Sequence, residues 1–97
     1  MIAIRIVGAA DGKPTPFDGE YLLEYDPRVP GIDPEGRMMD AHLLTVAEKE
    51  KARKFGGVEE AIRCYRQEAG VRWDGLPNRP LTGFTVEFEN LNGAGGI

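Results

Sequence analysis

A chain of 97 residues has room for one domain with one hydrophobic core. Its hydrophobic content of 41% and charged content of 29% are those of an ordinary globular domain. The net charge of −4 argues against direct nucleic-acid binding, which normally requires a basic surface. Acidic residues prevail up to residue 40 and basic residues crowd the second half, which leaves room for one basic patch on an acidic protein.

The single cysteine and the amino-terminal residues indicate the compartment. Cys64 has no second cysteine to pair with, which excludes an intramolecular disulfide and a cysteine-based zinc site. A small domain without disulfides is typical of a reducing compartment. Residues 1–7 lack the layout of a signal peptide, and no apolar run approaches the roughly 20 residues that a membrane helix needs. We therefore expect a cytoplasmic protein without a membrane partner.

Strand signals dominate the first half of the chain. In residues 1–7, isoleucines at every second position predict a strand with one buried face. Residues 20–25 predict a second strand in which Tyr21, Leu23 and Tyr25 share a face. The prolines and glycines of residues 26–37 exclude a regular element there. A third strand is predicted at residues 41–45.

Helix signals follow, and then a last strand. Thr45 and Glu48 have capping-box spacing, which predicts a short charged helix over residues 46–54. Residues 58–69 predict the main helix, with Gly70 as its carboxyl-terminal cap. Residues 84–89 alternate apolar and polar side chains, as a half-buried strand does. The in-phase apolar positions form the predicted core: Ile4, Ile6, Leu23, Ile62, Tyr65, Phe84, Val86 and Phe88.

The element order β-β-β-α-α-β predicts an α+β fold. A sheet of about four mainly antiparallel strands, with the main helix on one face, buries every apolar stripe. Residues 1–89 are expected to form this single small domain. The glycine-rich residues 90–97 are expected to form a flexible carboxyl-terminal tail.

Residues that could support catalysis are scarce. His42 and Cys64 are the only base and thiol, and a catalytic pair needs hydrogen-bond reach and an orienting third group. A core position for Cys64 is the simpler interpretation. Four acidic residues lie within residues 26–40, but they lack the ordered spacing of a calcium-binding loop. We therefore expect a protein that is not an enzyme and holds no metal or cofactor.

Two turn-rich segments carry the residues expected to contact a partner. The acidic loop, residues 26–37, and the arginine loop, residues 72–79, are long for so small a domain, and long structured loops are often functional. Tryptophan and arginine are common hot-spot residues, although Trp73 would also suit a lid on the core. The predicted partner-binding residues are Asp26, Arg28, Asp33, Glu35 and Arg37 in the acidic loop, and Arg72, Trp73, Asp74 and Arg79 in the arginine loop.

Four segments carry a resemblance to known proteins. They are TPFDGEYL (residues 15–22), YDPRVPGIDPEG (25–36), KARKF (51–55) leading into EEA (59–61), and WDGLPNRPLT (73–82). In these segments the chain resembles short accessory proteins of bacteriophages and prophages. The resemblance supplies no catalytic residue. It implies a phage accessory protein that acts in the cytoplasm of a bacterial host cell.

Three classes of function remain open from the sequence. The first is a phage-type protein that binds a host protein, such as an inhibitor of a CRISPR-Cas-like, nucleic-acid-binding defence complex, whose basic channel an acidic surface would fit. The second is a small enzyme or a nucleotide- or ligand-binding protein, which needs a concave site with convergent polar groups. The third is a structural or oligomer-forming phage component, which predicts large self-burial.

Overall fold

The fold is α+β, as the sequence predicts, in a computed structural model that describes residues 1–72 and 74–91. Six strands, one α-helix and two short 3-10 helices are present in this part of the chain. In chain order they are β1 (Ile2–Ala9), β2 (Tyr21–Asp26), β3 (Gly31–Ile32), β4 (Met38–Met39), β5 (His42–Val46), a 3-10 helix (Lys49–Lys51), α1 (Val58–Tyr65), a second 3-10 helix (Pro80–Gly83) and β6 (Phe84–Asn90).

The main sheet is antiparallel throughout, with strand order β5-β2-β1-β6. In the β1–β6 pair, Ile4 lies opposite Phe88 and Ile6 lies opposite Val86. Because side chains alternate along a strand, these four share the core face. Arg5 lies opposite Glu87 on the other face. Strands β3 and β4 form a separate two-stranded hairpin.

One face of the sheet is covered by α1 together with several loops. The helix contributes Ala61 and Cys64 to the core, and its last residue, Tyr65, packs edge-on against Phe88 with ring centroids 6.2 Å apart. The Tyr65 hydroxyl donates a hydrogen bond of 2.7 Å to the carbonyl oxygen of Phe84, which fixes the end of the helix to the edge strand. The buried residues of the cluster are Ile4, Ile6, Phe17, Leu22, Tyr25, Ala41, Leu43, Phe55, Ala61, Cys64 and Leu81.

The predicted apolar face of the second strand is wrong. Leu22 and Tyr25 are buried, whereas Leu23 is only half-buried and Tyr21 lies opposite Arg5 on the open face. The cause is an irregularity in the β2–β5 pairing between Leu22 and Glu24. An extra residue in one strand breaks the alternation of period two, so the residues on either side of it can point into the same core.

The predicted burial of Ile62 is also wrong, since this side chain is 37% exposed. The helix turns its small residues towards the sheet, with Ala61 fully buried and Cys64 nearly so. It also ends at Tyr65, four residues before the predicted end. Beyond it, the amide of Ala69 donates to the carbonyl of Asn78, so the chain has left the helix for a different set of backbone hydrogen bonds.

The predicted helix over residues 46–54 is absent. Val46 is the last residue of β5, and only a 3-10 turn, Lys49–Lys51, follows it. Thr45 lies within the strand, where its hydroxyl donates to the carboxylate of Glu20 instead of capping a helix. Thr45 and Val46 instead pair with Leu22 and Tyr21 of β2 as part of the edge strand β5. Residues 92–97 of the predicted tail lie outside the described residues.

The open face of the sheet carries a polar cluster centred on Glu89. Its carboxylate accepts a hydrogen bond of 3.0 Å from the Tyr21 hydroxyl and lies 3.1 Å from Lys49 Nζ and 4.0 Å from Arg5 Nε. Partial burial opposes ionisation of Glu89, but the contacts from Lys49, Tyr21 and Arg5 outweigh it and hold its pKa below the ordinary value. The cluster therefore links β1, β2, β6 and the 3-10 helix Lys49–Lys51 across the exposed face of the sheet.

Leu22 and Ile62, two apolar residues whose burial differs from the sequence prediction, can be compared by substitution. We expect Leu22→Ala to lower the free energy of unfolding by about 2–5 kcal/mol, because it empties a fully buried site. Ile62→Ala should cost less than about 1.5 kcal/mol, because much of this side chain is already in water. Urea melts measure both. Equal losses would contradict the orientation of the helix.

The Glu89 cluster predicts a pH dependence of stability. A carboxyl whose pKa is lowered in the folded state stabilises the fold above its unfolded pKa of about 4.3, and this contribution is lost as the pH falls through the folded value. Glu89→Gln should therefore flatten the decline in unfolding free energy between about pH 5 and pH 3. The control is Glu87→Gln, on the same face and in contact with Arg5. Parallel curves for wild type and Glu89→Gln would contradict the prediction.

Candidate functional site

The acidic loop is a hairpin, contrary to the expectation that no regular element forms there. Ile32 pairs with Met38, and the turn between them is closed by a hydrogen bond of 2.9 Å from the Asp33 amide to the Arg37 carbonyl. The Asp33 carboxylate accepts from the amides of Glu35 and Arg37 at 2.9 and 2.8 Å. The Asp33 side chain thus stabilises the turn through hydrogen bonds, whereas the prolines are only compatible with it. We call residues 31–39 the acidic hairpin.

Gly31 holds the acidic hairpin close to the main sheet. A Cβ atom at this position would lie 2.7 Å from the Ala41 carbonyl oxygen and 2.9 Å from His42 Cα. Both are backbone atoms at the start of β5, so neither can rotate away. The hairpin can lie against this part of the sheet only because residue 31 has no side chain.

The arginine loop is closed in a similar way. The Ala69 amide donates to the Asn78 carbonyl at 2.8 Å, and the Arg72 amide donates to the Leu76 carbonyl at 2.7 Å. The Asp74 carboxylate accepts from the Leu76 amide at 3.1 Å. We call residues 69–72 and 74–78 the arginine hairpin. Trp73 lies outside the described residues, so its proposed role as an anchor or a lid stays a prediction.

Most of the predicted charged site residues form local ion pairs. Arg28 lies 3.4 Å from Asp26, and Arg37 lies 3.5 Å from Glu35. A hydrogen bond from the Arg28 amide, with help from its guanidinium, holds the pKa of the Asp26 carboxyl below its usual value. Exposed pairs of this kind add little to stability and can exchange for pairs with a partner.

The arginine side carries the same kind of pairs. Arg72 lies 2.9 Å from Asp74, and Arg79 lies 3.7 Å from Glu68. Arg66, just after α1, has no ion-pair partner among the described residues. Of these three arginines, only Arg66 is therefore without a paired counter-charge in the part of the chain that the structure describes.

Both hairpins expose apolar side chains that the sequence analysis did not single out. On the acidic hairpin, Ile32 is 65% exposed and Met38 is 83% exposed. On the arginine hairpin, Val71 is 72% exposed and Leu76 is 56% exposed. Scattered exposed apolar residues are common, but here two lie on each of the two hairpins. The signal in the sequence is their position beside turn residues rather than in a buried stripe.

A concave surface lies between the two hairpins. A groove of about 740 Å³ is lined on the arginine side by residues that include Arg66, Arg72 and Arg79. A pocket of about 530 Å³ adjoins it, lined by Tyr25, Met38, Met39, Asp40, Ala41, Leu43, Pro80, Leu81, Gly83 and Phe84. The groove and the pocket share Asp40, Pro80 and Gly83. Met38 and Met39 of the acidic hairpin line the pocket and residues of the arginine loop line the groove, whereas no residue of the predicted stretch 26–37 lines either concavity. The sequence did not predict this concave surface.

Two buried polar atoms lie at this concave surface without a hydrogen-bond partner among the described residues. They are the Tyr25 hydroxyl, in a residue that lines the pocket, and Arg79 Nε, in a residue that lines the groove. Burial raises the pKa of Tyr25 to about 12, although the nearby Leu81 backbone, outside hydrogen-bonding geometry, acts in the opposite direction. Native structures contain few such groups, and each calls for an explanation.

The residues considered for catalysis have separate surroundings. His42 Nε2 lies 3.1 Å from the Glu24 carboxylate on the sheet. Cys64 lies on the buried face of α1, and this burial raises the pKa of its thiol, which makes the nucleophilic thiolate rarer. Within residues 1–72 and 74–91, no group of three histidine, cysteine or acidic residues is placed to hold a metal ion.

Comparisons with protein-family models, with curated proteins and with solved structures find no match to this chain. None of the helices in the described part of the chain is long and apolar enough to cross a bilayer. The site must therefore be interpreted from its own residues.

The fit of Gly31 predicts how the acidic hairpin depends on it. Gly31→Ala should lower the free energy of unfolding by about 1–3 kcal/mol, because the Ala41 carbonyl oxygen and His42 Cα must move to admit the methyl group. It should also increase amide hydrogen exchange across residues 31–39. Gly83→Ala is the matched control, since a Cβ there would have no neighbour within 4 Å. A Gly31 variant as stable and as protected as this control would contradict the close approach.

Proposed function

We propose that this protein acts without catalysis, by binding a partner protein through the acidic hairpin and the arginine hairpin. The observation that carries the proposal is the exposure of four apolar side chains, Ile32, Met38, Val71 and Leu76, beside paired charges on two ordered hairpins. Protein interfaces combine an apolar centre with a polar and charged rim in this way. Arginine is also among the residues that most often dominate binding energy.

The internal hydrogen bonds of the hairpins support this proposal. Association costs free energy when flexible loops must become ordered. In both hairpins the turn is already closed by backbone bonds and by an aspartate side chain, Asp33 or Asp74. A partner would therefore meet a preformed surface, and more of the contact energy would appear as affinity.

The charge distribution supports a partner with a basic surface. Residues 26–40 contain four acidic residues and two arginines, and the chain as a whole carries a net charge of −4. Complementary charge speeds association and disfavours wrong partners. The nucleic-acid-binding channel of a bacterial defence complex has such a surface. Together with the resemblance to phage accessory proteins, this favours an inhibitor of a host defence protein acting in the bacterial cytoplasm.

Replacement of two of the exposed apolar side chains tests the proposal. The double variant Met38→Glu, Leu76→Glu should reduce capture of the partner from bacterial lysate by at least about tenfold, because it places charge in the apolar centre of the surface. Capture is measured by quantitative mass spectrometry of the retained proteins. Thermal melts should be nearly unchanged, since both side chains are exposed.

The control is Val58→Glu, the same kind of acidic replacement at an exposed apolar residue at the amino-terminal end of α1, compared with each of Met38→Glu and Leu76→Glu alone as well as with the double variant. An acidic side chain is acceptable there, because it lies at the positive end of the helix dipole. A double variant that retains every protein enriched by wild type would contradict the proposed surface. Loss of self-association alone, seen by analytical ultracentrifugation, would instead favour an oligomer-forming component.

A further inference from the structure

We propose that the pocket and the adjoining groove form a binding site for a small amphipathic anion, with its apolar body in the pocket and a carboxylate- or phosphate-type head group on the arginine side. This site would be a second function of the concave surface. It shares Met38, Arg72 and Leu76 with the proposed partner surface, but its tests use small probes alone and therefore do not depend on a partner protein.

The size and lining of the pocket suit the apolar body. Its volume of about 530 Å³ lies within the range of about 300–1,000 Å³ that small-molecule sites occupy. Its walls include the buried side chains of Leu43 and Leu81 and the half-buried Met39. Methionine is unbranched and adapts to ligands of different shape. An aliphatic or aromatic body of modest length fits this environment.

The arginines that line the groove favour a negatively charged head group. Arg66, Arg72 and Arg79 line the groove, against one lining acid, Asp40. Arg72 and Arg79 have acidic partners, but Arg66 has none among the described residues. Asp40 borders both the pocket and the groove and would repel an anion, so the head group is expected beside the arginines, which line only the groove.

The two unpartnered polar atoms point to the same site. Arg79 Nε can only donate and is shielded from solvent, so a carboxylate or phosphate oxygen in the groove would satisfy it once the side chain turned towards the ligand. The Tyr25 hydroxyl is the second such atom, and Tyr25 lines the pocket. Pro80, the residue after Arg79, lines both the groove and the pocket that Tyr25 lines. Unpaired buried groups are costly in a folded protein, and a bound ligand offers a reason to retain them.

A set of probes with one apolar chain and different head groups tests the site. Octanoate, octyl phosphate, octanol and octylamine are titrated into the folded protein, and binding is followed through the backbone amide signals by NMR. We expect octanoate or octyl phosphate to bind at least about tenfold more tightly than octanol, and octylamine to bind most weakly. The shifted signals should include Ala41, Leu81 and Gly83. The better of the two anions identifies the head group. Equal affinities for octanol and both anions, or shifts confined to other parts of the chain, would overturn the proposal.

Variants separate the two halves of the site. Arg79→Met should reduce the affinity for the preferred anion to that of octanol and leave octanol binding unchanged, whereas Arg28→Met, outside both concavities, should change neither. Met39→Trp should weaken every probe, because the indole occupies the pocket. Equal loss of the anion and octanol in folded Arg79→Met would contradict the assigned head-group position.

The unpartnered hydroxyl has its own test, which needs no ligand. Tyr25→Phe should raise the midpoint of thermal unfolding, because it removes a buried polar atom that has no partner. Tyr65→Phe is the control and should lower the midpoint, because the Tyr65 hydroxyl donates to the Phe84 carbonyl at 2.7 Å. A similar loss in both variants would show that Tyr25 is already satisfied and would remove this support for the site. Because no partner protein is present in these experiments, their failure would leave the proposed interface standing, and the converse also holds.

Discussion

The fold depends on covering one face of a four-stranded sheet with a helix of only eight residues. Such a helix is about 12 Å long and, with side chains, about 10 Å wide, whereas the outer strands of the sheet lie about 14 Å apart. The helix contacts β1 and, through Tyr65, the edge strand β6. The half of the sheet formed by β2 and β5 must therefore be covered by loops. Leu81, from a 3-10 helix, and Ala41, just before β5, supply that cover.

Incomplete cover by loops explains why the concave surface lies where it does. Tyr25 of β2 and Leu43 of β5 form part of the pocket, on the side of the sheet that α1 does not reach. Leu81 belongs both to the core and to the pocket wall, and Arg79 and Pro80 precede it in the chain. Packing of the core therefore positions the arginine side of the groove. The same leucine that closes the core fixes the residues proposed to bind an anion.

The sequence predicted the parts of the fold that depend on regular periodicity. The isoleucines of β1 and the alternating residues of β6 occupy their predicted strands. Leu22 was missed because the irregularity beside it in β2 leaves no mark in the apolar pattern. Ile62 was misassigned because hydrophobicity favours the larger side chain, whereas close packing on the sheet favours Ala61. The two loops were proposed as contact segments from turn residues and charge, and that role stays a prediction. The pocket between them was not predicted, since it depends on the short reach of α1.

Strand β4 connects the two proposed binding functions physically. Its two residues are neighbours in the chain, and neighbouring side chains in a strand point to opposite faces. Met38 is 83% exposed on the rim, whereas Met39 is half-buried and packs against the core cluster. The close fit of Gly31 against β5 limits movement of the hairpin that carries both. A ligand that displaced Met39 would therefore act on the backbone that presents Met38. Met39 in the pocket and Met38 on the exposed surface are therefore held by one short backbone segment, so the two proposed functions share a structural element.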